Sequence, residues 1–264
     1  MMRAMAKKLI VALVAALAFA SPSLAGELKY TMHMEAKPAA SAPNDPMSQM
    51  AGGMVSQMFP PGGIDQVVVA GEKGMRSEYK QDFATFKAGM VMLVKPDGSQ
   101  YILDPAAKTY YKMPAAPADM AAMMAQMAPK VTIDKAGVFE TVNGMKAEHI
   151  KMTMTMAIPG IDPSQMPPGM PTSLSMAYDV WLTDAVKQPA SASTVAMGMM
   201  KQFGFDQMPE VKKLAGDGRM MLKGVMSMFG IEMLMETRDI KTETADPALF
   251  EIPKDYKEVP PPGL

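Results

Sequence analysis

The chain has 264 residues, no cysteine and two histidines. That excludes disulfide scaffolds, thiolate metal sites and cysteine nucleophiles, and leaves little material for histidine chemistry. Lys and Arg number 26 against 27 Asp and Glu, so no basic excess points to a nucleic acid partner.

Residues 1–25 read as a secretory signal peptide. Arg3, Lys7 and Lys8 precede an apolar run over 9–20, and Ser23 and Ala25 occupy the small-residue positions before a cleavage after Ala25. The run falls short of the ~20 residues needed to span a bilayer, and no second candidate follows. There is no Arg-Arg pair, which favours the general secretory route over twin-arginine export. The expectation is a soluble periplasmic protein, not an integral membrane protein. Removing 1–25 takes away three positive charges and no negative one, which turns a formal net charge of −1 into −4. Such a chain is not drawn to anionic lipid surfaces.

The body alternates with period two, as half-buried strands do. Over 27–37, Leu28, Tyr30, Met32, Met34 and Ala36 share one face, and Glu27, Lys29, Thr31, His33, Glu35 and Lys37 the other. A Met-rich insertion spans 38–63. Within it, Met47, Met50, Met54 and Met58 have helical spacing, with Asn44 or Asp45 as cap. Gly52 and Gly53 oppose that helix by roughly 1 kcal/mol each. Strands are then expected at 64–70, 75–80, 90–94, 100–103 and 109–113, separated by Gly71 and Gly74, Pro96-Asp97-Gly98 and Asp104-Pro105. The spacing of Met120, Met123, Met124 and Met127 predicts a helix over 119–128, capped by Asp119 and stopped by Pro129.

Residues 131–139 give a weaker strand. Asn143-Gly144 signals a hairpin. Over 148–156, Ile150, Met152, Met154 and Met156 oppose His149, Lys151, Thr153 and Thr155. A Pro- and Gly-rich loop is expected at 159–171. Leu174, Met176, Tyr178, Val180 and Leu182 then alternate with Ser173, Ser175, Asp179 and Thr183. A third helix is expected within 185–205, starting near Ser193 or Thr194. Segments 219–229 and 231–241 look paired, and 259–264 is a proline-rich tail. About eleven strands with short turns argue for an antiparallel sheet.

The candidates for chemistry are few. Thioethers suit Cu(I), and Met32-His33-Met34 spells a copper motif on paper. Strand geometry turns His33 away from Met32 and Met34, and His149 away from Met152 and Met154, so both read as solvated strand histidines. The helical set Met120, Met123, Met124 and Met127 is the better copper candidate. Serine-hydrolase elbows, phosphate-binding loops and zinc-protease motifs are missing. Asp97-Gly98 and Asp217-Gly218 read as turns rather than calcium loops, and carboxylates such as Glu78 and Asp82 form no specific motif. No enzyme activity, metal or cofactor is expected.

Methionine is the anomaly, at 34 residues. Burying one contributes about 1.5–3 kcal/mol, much like leucine. Ordering it costs up to about 1.5–2 kcal/mol of rotamer entropy, against about 0.5–1 for leucine. Net stability is only about 5–15 kcal/mol, so thirty-one methionines beyond the leader either stay partly mobile or serve a purpose. Flexible, polarisable side chains suit apolar ligands of variable shape. The plain alternative is methionine replacing leucine and phenylalanine in an ordinary core.

Across 90–113, Asp97-Gly98, Tyr101, Asp104-Pro105 and Tyr110-Tyr111 form an arrangement. Together with segments 73–79, 142–154, 178–184 and 246–259 it resembles the exported bacterial family of unknown function numbered 4412. More distantly it is similar to the periplasmic lipoprotein-localisation factors (LolA/LolB-like). The resemblance implies one domain over 26–258, an α+β fold: an open antiparallel half-barrel of about eleven strands, mainly β, with a few helices covering its concave side. In the localisation factors that concavity holds lipoprotein acyl chains, and no catalytic residue comes with it. It also implies a latch role for an arginine in the region of Arg76. The localisation factors begin with a helix; here a strand comes first.

The leading expectation is a binding or carrier protein for an apolar ligand, an acyl chain, lipid or lipoprotein. The ligand would lie against Met32, Met34, Met152, Met154, Met156 and Met176 of the sheet and Met120, Met123, Met124 and Met127 of the helix. The alternatives are a Met-based Cu(I) binder or oxidant scavenger, and a scaffold in an envelope complex. The oligomeric state is left open.

Overall fold

The structure, a computed structural model, describes residues 27–38, 53, 59–114, 129–157, 173–189, 192, 209, 218–228 and 230–262. The signal peptide, the loop at 159–171 and the helix at 119–128 lie outside the described residues. So do all but a few residues of 46–59 and 185–205, among which Gly53 and Ala192 are helical. Among the described residues the chain is mainly β.

The first strand, β1 (Glu27–Pro38), is followed by a meander of β2 (Ile64–Gly71), β3 (Gly74–Tyr79), β4 (Val91–Val94), β5 (Gln100–Asp104) and β6 (Thr109–Lys112). A second meander contains β7 (Lys130–Val142), β8 (Met145–Ala157), β9 (Ser173–Lys187), β10 (Arg219–Met228) and β11 (Ile231–Glu243), and β12 (Lys257–Glu258) comes last. All twelve form one open sheet in the order β12-β6-β5-β4-β3-β2-β1-β11-β10-β9-β8-β7. β1 joins the meanders, antiparallel to β2 on one side and to β11 on the other.

Two details differ from the sequence expectation. β12 is an additional strand, and it runs parallel to β6. The weak strand at 131–139 is part of the thirteen-residue β7. Its alternation fails because the register shifts between Lys135 and Val138, around Gly137 at φ +61°. Asn143 and Gly144 take φ of +50° and +77°, which is the turn chemistry that lets β7 and β8 form a hairpin.

Residues opposite each other in antiparallel strands share a face. One face carries a hydrophobic cluster that reaches from Ile102 on β5 to Ile150 and Met152 on β8. The reverse face carries two smaller clusters. One joins Val69, Val91, Leu93 and Leu103 to Ala245 and Phe250 of the C-terminal segment. The other contains Ala147, Trp181 and Leu222. The C-terminal segment is pinned by a short 3-10 turn, Pro247–Phe250, whose N-cap Asp246 accepts from Ala248 N at 2.9 Å. Lys95 Nζ donates to Phe250 O at 2.6 Å and to Glu251 Oε2 at 2.7 Å.

Candidate functional site

The large cluster is a methionine face. Register alone assembles it. Ile150, Val180, Gly224, Met235, Met34 and Ile64 lie side by side on β8, β9, β10, β11, β1 and β2. A neighbouring row runs Met152, Tyr178, Met226, Met233, Ala36. A Cβ on Gly224 would sit 3.1 Å from Met221 Sδ and 3.3 Å from Met235 Cε. The glycine thus leaves room for two thioethers above the strand.

Of the methionines singled out from the sequence, Met32, Met34, Met152, Met156 and Met176 are buried in this cluster. Met154 is partly buried and packs against it. Met120, Met123, Met124 and Met127 lie outside the described residues. Sequence reasoning missed several members: Met75, Met220, Met221, Met226, Met228, Met233 and Met235 are buried in the same cluster. Their signal was the alternation over 219–229 and 231–241. It is blurred at Met220 and Met221, where register shifts flank the pair and both join one cluster.

Aromatic rings border the face near the β3–β4 connection. Phe59 and Phe83 lie 4.8 Å apart between ring centroids, and Tyr79 stacks on Phe86 at 4.6 Å. Polar groups on the face are few and two are matched internally. Ser77 Oγ donates to Gln66 Oε1 at 2.5 Å, and Thr237 Oγ1 to Met221 O at 2.8 Å. The Tyr178 hydroxyl is buried and has no hydrogen-bond partner among the described residues, a condition that costs about 1–3 kcal/mol. Burial pushes the phenols of Tyr30, Tyr79 and Tyr178 well above their ordinary value.

The reverse face carries both histidines with charged neighbours on one lateral row, while the Glu148 that pairs with Arg219 stands opposite Leu182, at the edge of the methionine face. His149, Trp181, Lys223, Glu236, His33 and Asp65 are successive cross-strand neighbours. His33 Nδ1 lies 2.8 Å from Asp65 Oδ1, and His149 Nε2 lies 2.6 Å from Asp179 Oδ1. The His149 ring stacks on Trp181 at 4.2 Å, Trp181 Nε1 donates to Glu140 Oε2 at 2.8 Å, and Lys223 Nζ sits 4.7 Å above the indole. The histidines do face away from the methionines, as strand geometry requires. They are not solvated, however: His33 is 9% exposed and the His149 side chain 13%. Strand pairing covers each ring with its neighbours and a carboxylate partner compensates the burial. His33 therefore cannot share an ion with Met32 and Met34.

Other candidates resolve as local structure. Asp97 Oδ1 accepts from Ser99 N at 2.8 Å, which is a turn. Glu78 pairs with Lys80 at 2.5 Å and Asp82 with Lys87 at 2.8 Å, so the two carboxylates have separate partners. The Lys87 hydrogen bond, with a second from Ala88 N, holds Asp82 below the usual carboxylate range. Arg76 stands opposite Val69 and Leu93 of the reverse-face cluster, where burial lowers its pKa. It does not border the methionine face, which removes the basis for a latch there. Among the described residues no group of three or more His, Cys, Asp or Glu could hold a metal ion. Among them also no helix is long and apolar enough to cross a membrane.

A family model described as "Domain of unknown function (DUF4412)" matches residues 52–256. No curated protein matches the chain. Among solved structures, an uncharacterized conserved protein from Thermus thermophilus is similar, with TM-score 0.41 and 9% identity over 96% of this chain and 98% of that one. The LolA superfamily protein NE2245 from Nitrosomonas europaea gives TM-score 0.34 and 9% identity over 91% and 96%. LprF from Mycobacterium bovis gives TM-score 0.29 and 12% identity over 83% and 89%.

Proposed function

From the premise that this chain belongs to the DUF4412 family, we propose that it is a soluble periplasmic binding or carrier protein for an apolar ligand with an acyl chain. The observation behind this reading is the methionine face itself. Twelve methionines are buried in the cluster and four more pack against it. That is an unusual way to fill an ordinary core, since each gives up more rotamer entropy than leucine for similar burial. The compensation is adaptability. A thioether chain with three rotatable bonds repacks around acyl chains of different length, where branched residues hold one shape. The reverse face supports the asymmetry, because both histidine–carboxylate pairs and the C-terminal segment occupy it.

In this reading residues 26–258 form one domain, residues 1–25 are removed on export, and the sheet curves as a half-barrel around the ligand. Helices at 119–128 and within 46–59 and 185–205 cover it, with Met120, Met123, Met124 and Met127 as the second wall. Release then requires the cover to move. Lipid mass spectrometry of the full-length product purified from the periplasm tests the reading. An acyl lipid is expected in near-stoichiometric amount. Protein that emerges lipid-free and also fails to bind N-phenyl-1-naphthylamine contradicts it.

A further inference from the structure

We infer that the Tyr178 hydroxyl is the hydrogen-bond donor to an ester or amide carbonyl of the acyl ligand, so that esterified or amidated chains are preferred over free fatty acids. The inference rests on the apolar-ligand reading and specifies its ligand class.

Tyr178 lies within the methionine face, on β9. Met152 of β8 and Met226 of β10 stand directly beside it. Met176 and Val180 flank it along β9, two positions away on the same face, and both are buried. The residue is 7% exposed, and its buried hydroxyl oxygen has no hydrogen-bond partner among the described residues. Phenylalanine would fill the same space and leave no donor stranded. Native interiors seldom keep a buried polar atom unmatched, and such exceptions gather at functional sites. A ligand that brings an acceptor completes the bond.

The chemistry of that acceptor follows from its setting. Burial keeps the phenol protonated, so it offers a proton to the ligand. A carboxylate in this apolar setting needs a cation beside it. Arg219, at the strand end nearest Glu148, already holds the Glu148 carboxylate. A neutral carbonyl suits a single phenol among thioethers, with no charge to compensate.

The test compares methyl palmitate, palmitate and n-hexadecane as displacers of N-phenyl-1-naphthylamine from the full-length protein and from Tyr178→Phe. The wild type should bind methyl palmitate more tightly than palmitate. Tyr178→Phe should weaken methyl palmitate about fivefold to tenfold, tenfold being about 1.4 kcal/mol, and leave hexadecane within about twofold. Infrared spectra of ¹³C-carbonyl methyl palmitate should show a lowered stretch on wild-type protein that returns towards the non-bonded value on the variant. An unshifted carbonyl on wild type, or equal losses for ester and alkane, overturns the inference while the carrier reading stands. A wild type that binds none of the three displacers and no fluorescent probe removes both. The wild-type infrared reading decides the matter even where the variant folds poorly.

Discussion

Three tyrosines on the methionine face set a limit on the alkaline stability of the chain. Burial raises the pKa of Tyr30, Tyr79 and Tyr178, and each is neutral while protonated. Above about pH 10 an unfolded chain releases those phenol protons and the folded chain keeps them. The stabilisation they share in is therefore whole below about pH 10 and is lost as pH rises towards the folded values. A spectrophotometric titration at 295 nm should show these three of the seven tyrosines ionising only together with loss of β-sheet circular dichroism. Tyrosinate signal from all seven with the sheet intact would contradict this. At the same scale, the facing of His33 and His149 was legible from alternation. Their burial was not, because exposure depends on what the neighbouring strands bring, here Trp181 beside His149 and Asp65 beside His33.

At the scale of elements, the C-terminal segment acts as a cover for the β2–β5 part of the reverse face. Phe250 is fully buried against Val69, Val91, Leu93 and Leu103. Phe250→Ala should lower the unfolding free energy by about 3–5 kcal/mol in urea titrations. A change under about 1 kcal/mol would show that the segment is only loosely laid on the sheet. The strands β1, β8 and β9 were legible from the chain because apolar and polar residues alternate along them, with Ala177 and Trp181 the breaks on β9. β7 was half legible, since the bulge at Gly137 breaks the period. β12 was invisible. Two residues have no periodicity, and its pairing rests on backbone bonds such as Lys257 N to Lys108 O at 3.0 Å.

The whole molecule is two meanders fused through its first strand. Short turns join most neighbouring strands, and sequence patterns reveal such turns, but residues 158–172 separate β8 from β9 and residues 188–218 separate β9 from β10. The junction of β1 with β11, where Met34 meets Met235, is a long-range pairing that no local pattern encodes. That junction is what joins the two methionine-bearing halves into one continuous face; six of its residues were readable from alternation, whereas the pairing that brings them together was expected only through the family resemblance. If the protein is a carrier, this face takes up an apolar chain. Methyl-¹³C-methionine NMR, with methyl palmitate titrated into the full-length protein, tests it most directly. Met145, which packs with the reverse-face cluster of Trp181 and Leu222, is the internal control. Saturable shifts are expected at Met32, Met34, Met152, Met176 and Met226 with a still Met145 signal; unmoved resonances on the face, or shifts confined to Met145, would show that the chain is not taken up there.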